Sequence, residues 1–563
     1  MKIAIIDCYI DEPASLGVPP FISPVVRYII GAVFLSERVC GEEDVNYLTI
    51  DDLRKGFNPG KFSPFKADVV LLVSNLQVPG KYHGGLPASL KELEQMAARC
   101  EGKVFSWSKQ VRGAIQISGE PDLFLYKYLK EGELSAHSII QLSKKEKELR
   151  ELFALKGAEH IELILKSDSY SKTYSICEID TFKGCSRKRG CSFCPEWRRP
   201  LFSREDEDVL KEVKALSKKG ITKFRLGGSC FFSYLSKELG KKDIPTPDAE
   251  ALISFLKELS SLKPEVLHID NANPVVLSTY PNQCEEVAKA VVRYCTPGNI
   301  ASFGMESADP VVIKRNNINT QPEDVLKAVR ILNKVGKKRG KNGMPSFLPG
   351  INLLYSLPGE SEESFKLNYY FLKRVFKEGL LLRRINIRQV DWSFLSNQRQ
   401  KGDEYLIRES KRLRKRNRTA FVKYKNKIRE EIDRPMLRKV VPFGTVLRDV
   451  FIEKIKGNTS FGRQLATYPV LVGVPYLLKI GHLYNIKITS HGFRSVTGIE
   501  HPFYLNKAKF SWITSLPGVG KKRAARIFRH LPLKSKEEFK KAVGDEKLAE
   551  MLVGEEWVNL RVF

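Results

Sequence analysis

The chain has 563 residues, and its 94 Lys and Arg outnumber its 65 Asp and Glu, which gives a formal net charge of +29. This length predicts about three or four domains, and no apolar run is long enough to cross a bilayer. The N-terminal "MKIAIIDCYI" lacks the basic start and cleavage site of a signal peptide, so we expect a cytoplasmic protein without a membrane partner. The excess of positive charge favours nucleic acid as the partner, and a charge-rich surface of the thermophile type is the alternative.

Residues 1–165 alternate between short apolar strands and helical stretches. The strand-like segments are "MKIAIIDCYI", "VNYLTI", "ADVVLLVS" and "GKVFSW". This alternation predicts a doubly wound, Rossmann-like α/β domain. Ligands of such sheets bind beyond the carboxyl ends of the strands, so the loops "DEPASLGVPP" and "VPGKYHGG" are expected to form the rim of a site.

Residues 166–400 repeat the alternation, and each strand-like segment runs into a loop with polar or glycine residues. These segments are "KFRLGG", "VLHIDNANP", "NIASFGMES", "GINLLYSLPGE" and "RRINIRQV". Repeated βα units predict a partial or complete (β/α) barrel whose site lies at the carboxyl ends of its strands.

The last third of the chain is predicted to contain three parts. Residues 401–440 hold fifteen Lys and Arg against six Asp and Glu, and we expect a basic connector that does not pack into a core. Short alternating strands with frequent glycine predict a small β-barrel over residues 441–505. Helices are predicted over residues 506–563, around "SLPGVGKKRAARIFRHL".

Three of the ten cysteines lie within "TFKGCSRKRGCSFCPEWRRP", at Cys185, Cys191 and Cys194. Thiolates so close together favour a soft metal, either zinc or an iron–sulfur cluster. A structural zinc site would need a fourth ligand, and no Cys or His follows at the usual short spacing. Three thiolates can instead bind a 4Fe–4S cube and leave one iron open, as a catalytic metal requires.

These motifs resemble the radical S-adenosylmethionine (SAM) superfamily. Phe193 stands before the last cysteine, as in that family, but the family spacing is C-x3-C-x2-C and this loop is two residues longer. Ser229 replaces the acid of the Gly-Gly-Glu stretch that binds SAM in the family. The resemblance implies a 4Fe–4S cluster on Cys185, Cys191 and Cys194, and it implies SAM near Gly227, Gly228, Ser229, Asn271, Glu306 and Asn352.

The resemblance also implies the chemistry. An electron from a donor such as ferredoxin or flavodoxin splits SAM on the open iron, and a 5′-deoxyadenosyl radical then abstracts hydrogen from an inert C–H bond.

The flanking parts suggest an RNA substrate. Residues 444–499 resemble the TRAM domain, an RNA-binding barrel of tRNA methylthiotransferases, and "LPGVGKKRAARI" resembles a helix-hairpin-helix, although an ordinary helix connection is equally compatible with it. Backbone phosphates are the expected partners of all these basic positions. The candidate contacts are Arg412, Arg414, Lys415 and Arg416 in the connector, Arg448, Lys454, Arg463, Lys487 and Arg494 in the barrel, and Gly518, Gly520, Lys521, Lys522 and Arg523 in the hairpin.

The first domain bears on the type of reaction. Methylthiotransferases carry a second cluster on cysteines at three strand ends, and only Cys8 fits that pattern, whereas Cys40 and Cys100 fall at helix-like positions. The domain more closely resembles the cobalamin-binding domain of other radical SAM enzymes, without the Asp-x-His-x-x-Gly motif that ligates cobalt, and His83 lies in a rim loop.

We therefore expect a radical SAM enzyme that methylates an unactivated carbon of RNA, with tRNA as the expected class and cobalamin as a candidate third cofactor. A tRNA methylthiotransferase and a non-catalytic RNA-binding protein with a structural metal are the alternatives.

Overall fold

The structure is a computed structural model that describes residues 1–10, 21–75, 87–107, 110–117, 119–132, 143–390, 392 and 403–561. It has the predicted α/β architecture, with two regions of parallel sheet, a closed barrel and a helical C-terminal part. In these ranges every helix is too short or too polar to span a bilayer.

The N-terminal region forms a parallel five-stranded sheet in the order β3-β1-β4-β5-β6. Its strands are β1 (Ile3–Ile10), β3 (Val45–Thr49), β4 (Val69–Asn75), β5 (Lys103–Trp107) and β6 (Ile115–Ile117), and the short β2 (Phe21–Ile22) lies outside this sheet. The helices are α1 (Pro24–Leu35), α2 (Ile50–Arg54), α3 (Leu90–Arg99), α4 (Pro121–Glu131), α5 (Lys144–Glu159) and α6 (Glu162–Leu165). Continuous apolar runs such as residues 69–73 are buried on both faces, as expected of strands between two helical layers.

The central region is an open barrel of parallel strands. The strands are β7 (Ile176–Lys183), β8 (Phe202–Ser203), β9 (Lys223–Gly228), β10 (Val266–Ile269), β11 (Asn271–Ala272), β12 (Asn299–Glu306), β13 (Phe347–Tyr355) and β14 (Arg384–Gln389). They form two sheets, β10-β9-β7-β2 and β11-β12-β13-β14, with β8 pairing antiparallel to β7, and the chain runs directly from β10 into β11. Of the two predicted forms, the structure has the partial barrel.

The helices of the central region alternate with its strands. They are α7 (Asp206–Lys218), α8 (Ala249–Ser261), α9 (Pro274–Thr279), α10 (Pro281–Tyr294), α11 (Pro310–Arg315), α12 (Pro322–Gly336) and α13 (Glu362–Lys377). One strand of this region comes from the N-terminal part of the chain, because β2 pairs in parallel with β7, with Phe21 opposite Ile176. The two α/β regions are therefore joined by main-chain pairing.

The basic segment differs from the expectation that it would not pack into a core. It is helical, with α14 (Asp403–Arg416), α15 (Arg418–Ile428), a π-helical turn (Arg429–Asp433) and α16 (Arg434–Val440). Tyr424, Ile428, Ile432 and Met436 recur every four residues and are buried in the main hydrophobic core. One apolar stripe is enough to dock a helix, and the charges occupy the opposite face.

The predicted small barrel is closed, in the order β15-β16-β17-β19-β18. Its strands are β15 (Val446–Lys456), β16 (Thr459–Gln464), β17 (Leu471–Val474), β18 (Leu483–His491) and β19 (Ser495–Glu500). The C-terminal helices are α17 (Phe510–Ile513), α18 (Lys521–Arg529), α19 (Lys536–Val543) and α20 (Glu546–Gly554).

Candidate active site

The cysteine loop begins at a glycine that the fold requires. Gly184 follows β7 with φ +90°, and a Cβ atom there would lie 2.7 Å from the Leu201 Cα. Its N–H donates to Glu196 Oε2 at 3.0 Å, and its carbonyl accepts from Ser229 Oγ at 2.6 Å. These two contacts fix the position of Cys185, the next residue, and they give Ser229 a role in holding the loop.

The longer segment between the first two cysteines is anchored by side chains from distant parts of the chain. Asp243 accepts from the Lys188 N–H at 3.0 Å. Asn317 donates to the carbonyls of the two residues before Cys191, at 2.7 and 3.0 Å. Ser192 Oγ donates to Asn316 Oδ1 at 2.8 Å. The two extra residues therefore form an ordered loop.

Arg187, within this longer segment, contacts a predicted cluster ligand. Its Nη1 atom donates to Cys191 Sγ at 3.5 Å and to the Asn317 carbonyl at 2.9 Å. The second contact fixes the guanidinium in place, so a positive charge is held beside the thiol.

One cavity of about 290 Å³ brings the predicted site residues together at the carboxyl ends of the barrel strands. Its lining includes Cys185, Cys191, Cys194, Ser229, Asn271, Glu306 and Asn352. Gly227 and Gly228 do not line this cavity but precede Ser229 in the chain, and the Gly228 carbonyl accepts from Asn271 Nδ2 at 3.1 Å. Gly228 has φ +154°, and a Cβ atom there would lie 2.6 Å from Thr181 Oγ1, so the close approach requires glycine.

Sequence reasoning missed several residues of this cavity. Ser302 and Asn273 belong to strand-end segments that were recognised, "NIASFGMES" and "HIDNANP", so the same pattern could have found them. Asp243, Asn319 and Thr320 lie in loops where no sequence pattern marks them. Arg187 was visible only as part of the unusual insertion.

Burial governs the protonation of the site. Burial raises the pKa of all three thiols. The pKa of Cys191 rises to about 11, although the positive charge of Arg187 opposes this increase. The thiols therefore hold their protons until a metal displaces them. Burial also raises the pKa of Glu306 to about 8, with Arg388 opposing, and this residue has a left-handed backbone with φ +63°. Strain at a strand end that faces a cavity is typical of functional positions.

The donor set fits an iron–sulfur cube. Among the residues that the structure describes, no three His, Cys, Asp or Glu side chains are grouped so that they could hold one metal ion. A cube does not need such convergence, because it presents a different iron to each of its three thiolates. Three soft ligands on one side of the cavity, facing amide, hydroxyl and carboxyl groups, suit a cluster with a polar organic ligand on its open iron.

The predicted RNA contacts in the basic helices differ in how they are held. Arg414 and Arg416 donate to the core carbonyls of Val390 and Glu360, and Arg412 pairs with Glu409. Lys415 is exposed.

In the barrel, Arg448, Lys454 and Arg494 are exposed, Arg463 pairs with Glu453, and the Lys487 ammonium donates to the Glu555 carbonyl. In the hairpin, Gly518, Gly520, Lys521 and Lys522 are exposed, and Arg523 pairs with Asp545. The RNA-binding role of all these residues stays a prediction.

One protein family, two relatives and one solved structure are similar to this chain. The family described as the Radical SAM superfamily matches residues 179–366. An uncharacterized protein of Methanocaldococcus jannaschii is 41% identical over 523 residues, 88% of this chain and 92% of its own length. The ribosomal protein uS12 methylthiotransferase RimO of Clostridioides difficile is 24% identical over 236 residues, 41% of this chain and 48% of its own. Among solved structures, the radical SAM methyltransferase TsrM of Kitasatospora setae has a TM-score of 0.42 at 13% identity, covering 68% of this chain and 72% of TsrM.

Proposed function

We propose that the chain, whose residues 179–366 match the radical SAM superfamily, methylates an unactivated carbon of a nucleotide in RNA, with tRNA as the substrate class. The superfamily carries a 4Fe–4S cluster and SAM, which together supply the radical chemistry that activates a C–H bond. An external protein such as ferredoxin or flavodoxin would provide the electron.

The chain's own residues would bind and orient these groups. Cys185, Cys191 and Cys194 would ligate three irons. Asn271 and Asn352 would offer amide groups to SAM, and Glu306 carries its proton at pH 7, so it can donate a hydrogen bond.

The attachment of the barrel to the core is the observation that carries the proposal of an RNA substrate. The loop between β16 and β17 brings Tyr468 onto the central region, where its hydroxyl donates to Asp270 Oδ1 at 2.5 Å. Asp270 directly precedes Asn271 of the cavity. A polyanion held by the basic barrel and the basic helices would therefore lie beside the site, as the net charge of +29 favours.

The RimO relative makes methylthiolation the second candidate. A second cluster at the strand ends of the first domain would need several cysteines at the carboxyl edge of its sheet. Cys8 lies there, near the end of β1, whereas Cys40 precedes β3 and Cys100 precedes β5, at the opposite edge of the parallel sheet. This separation supports methylation over methylthiolation.

Cobalamin stays a prediction. The two rim loops that would face it, including His83, lie outside the described residues.

The proposal is tested by mass spectrometry of nucleosides from a strain that lacks the protein. We expect one methylated nucleoside to be absent, and anaerobically purified enzyme with SAM and a reductant to restore it on RNA from that strain. About eight irons per chain without cobalt, together with a missing sulfur-containing nucleoside, would favour the methylthiotransferase. A colourless protein that gains no absorbance with iron and sulfide would support the non-catalytic alternative.

A further inference from the structure

A second cavity, of about 210 Å³, lies between the last core strand and the small barrel. We name it the arginine cleft, after the four arginines among its lining residues, which are Arg383, Arg384, Arg463 and Arg494. Two come from the start of β14, one from β16 and one from the turn between β18 and β19. Phe493 also lines the cleft, and 54% of its surface is exposed.

The carboxylates near the cleft already interact with arginines. Asp433, which lines it, accepts from Arg429 and lies 3.7 Å from Arg494 Nε. Glu453 pairs with Arg463. Within the described residues, no carboxylate lies within 4.0 Å of the Arg383 or Arg384 guanidinium groups. Among the described residues, Arg383 and Arg384 therefore have no close ion-pair partner, and Asp433 acts on Arg383 only from beyond 4.0 Å.

Both unpaired guanidinium groups keep unused donors. Arg383 Nη2 donates to the Tyr468 carbonyl at 2.8 Å, but its buried Nε has no partner. Arg384 is 9% exposed and donates through Nε to Asn386 Oδ1 at 2.7 Å, and among the described residues its Nη atoms have no partner. Its guanidinium lies 4.2 Å from the centre of the Tyr468 ring, so it is held in position.

Without a bound anion, the buried charges of the cleft lower the stability of the folded protein. Burial, with neighbouring arginines, lowers the pKa of Arg383 to about 10 and that of Arg384 to about 9, so both stay charged at pH 7. Buried charges without partners destabilise a protein, and a bound anion would relieve this cost. Planar guanidinium groups match the geometry of a phosphate.

We infer that the arginine cleft binds a backbone phosphate of single-stranded RNA, with the adjacent base stacked on Phe493. The inference rests on the RNA substrate of the proposed function. An exposed aromatic ring beside a cationic groove is the arrangement that binds single-stranded nucleic acid. Free phosphate offers the same charge but cannot use the aromatic ring.

A chain of hydrogen bonds joins the cleft to the cavity that contains the cysteines. Arg384 donates to Asn386, whose Nδ2 donates to Asn352 Oδ1 at 2.6 Å, and Asn352 lines that cavity. A phosphate in the cleft would thus be coupled to the wall of the cavity through these three side chains. Arg384 is in this sense a positioning residue.

The test measures binding of a fluorescent single-stranded RNA by the full-length protein across a salt series. Each lost phosphate contact lowers the slope of log K against log salt by about 0.7, so we expect Arg384→Gln with Arg494→Gln, which removes two of the cations around the one phosphate, to lower it by about 0.7. Phe493→Ala should weaken binding about tenfold and leave the slope unchanged, because stacking involves no charge. Arg293→Gln, at the end of α10, serves as the matched control and should change neither quantity.

The outcomes separate this inference from the proposed function. If the slope of the Arg494→Gln single variant and of the double variant equals that of the wild type, while RNA methylation persists, the cleft assignment is wrong and the proposed function stands. If the wild-type protein binds no RNA, the proposed function fails. A third outcome would overturn the inference. If inorganic phosphate competes equally well with RNA in the wild type and in Phe493→Ala, and if that variant binds RNA as tightly as the wild type, the cleft binds free phosphate.

Discussion

At the scale of single residues, Cys191 tests the cluster most directly. Cys191→Ala removes one of the three thiols that face the cavity, and we expect loss of bound iron and of SAM cleavage, because a cube held by two thiolates has no third anchor. Iron content and visible absorbance after anaerobic reconstitution measure this. Cys40→Ala removes an exposed thiol outside the site and should keep both signals. Full iron content in Cys191→Ala would contradict the assignment.

Arg187 gives a second prediction, on the redox properties of the site. A cation that donates to Cys191 Sγ stabilises the more negative, reduced state of a cluster, so Arg187→Gln should lower its reduction potential by about 50 mV or more. Potentiometric titration followed by electron paramagnetic resonance measures the shift. Lys188→Gln, in the same loop, is the control, because Lys188 is anchored through its backbone N–H and not its side chain. An unchanged potential in Arg187→Gln would remove Arg187 from this role.

The sequence pattern could predict the ligands but not what holds them. Three cysteines at short spacing and polar residues at strand ends predicted residues that line one cavity, because parallel strands bring their carboxyl ends to one edge. The partners of the longer loop, Asp243, Asn316 and Asn317, lie 55 to 130 positions away in the chain. No local pattern encodes such contacts. The sequence likewise gave no sign that Arg383 and Arg384 would lack a close ion-pair partner among the described residues.

At the scale of elements, the basic helices α14 and α15 test the path of the RNA. Their exposed basic residues include Lys411, Arg414, Lys415, Arg416 and Arg418. The guanidinium groups of Arg414 and Arg416 are also held by the carbonyls of Val390 and Glu360, so the variant changes Lys411, Lys415 and Arg418. Changing these three to Gln should lower the salt slope of RNA binding by about 2, since each phosphate contact on a single strand contributes about 0.7. The change leaves the buried stripe intact.

A matched triple variant, Lys211→Gln with Lys214→Gln and Lys257→Gln, removes the same charge from exposed positions on α7 and α8. It should leave the slope close to that of the wild type. Equal slopes in the two triple variants would show that the RNA follows another surface.

These helices also show where sequence reasoning about elements failed. The charge density of residues 401–440 predicted a segment outside the core. Tyr424, Ile428 and Ile432, at four-residue spacing, instead pack these helices into the core. The pairing of β2 with β7 was equally hidden, because two apolar residues after a loop give no sign of their partner 155 positions further along the chain. In contrast, the strands of both α/β regions and of the small barrel were visible from their own periodicity.

At the scale of the whole molecule, the barrel and the core act as one body through the loop between β16 and β17. Tyr468 reaches Asp270, and the Thr467 N–H donates to His268 Nδ1 at 3.2 Å on strand β10. A backbone N–H cannot accept a hydrogen bond, so Nδ1 must remain unprotonated for this contact to persist. This backbone contact between the small barrel and the core therefore requires a neutral histidine, whose Nδ1 also lies 2.9 Å from Thr467 Oγ1.

This dependence predicts how stability changes with pH. Burial lowers the pKa of His268 to about 4, below its usual 6.5, so between these values the unfolded chain binds more protons than the folded one. The contribution of His268 to the free energy of unfolding is complete above pH 6.5, falls as the pH is lowered, and is lost below pH 4, by about 3 kcal/mol. Chemical denaturation at pH 7, 5.5 and 4 measures it. In His268→Asn, the amide oxygen can still accept from the Thr467 N–H, so the free energy of unfolding should fall by about 3 kcal/mol less between pH 7 and pH 4 than in the wild type. Parallel declines in both proteins would show that His268 does not set the pH response.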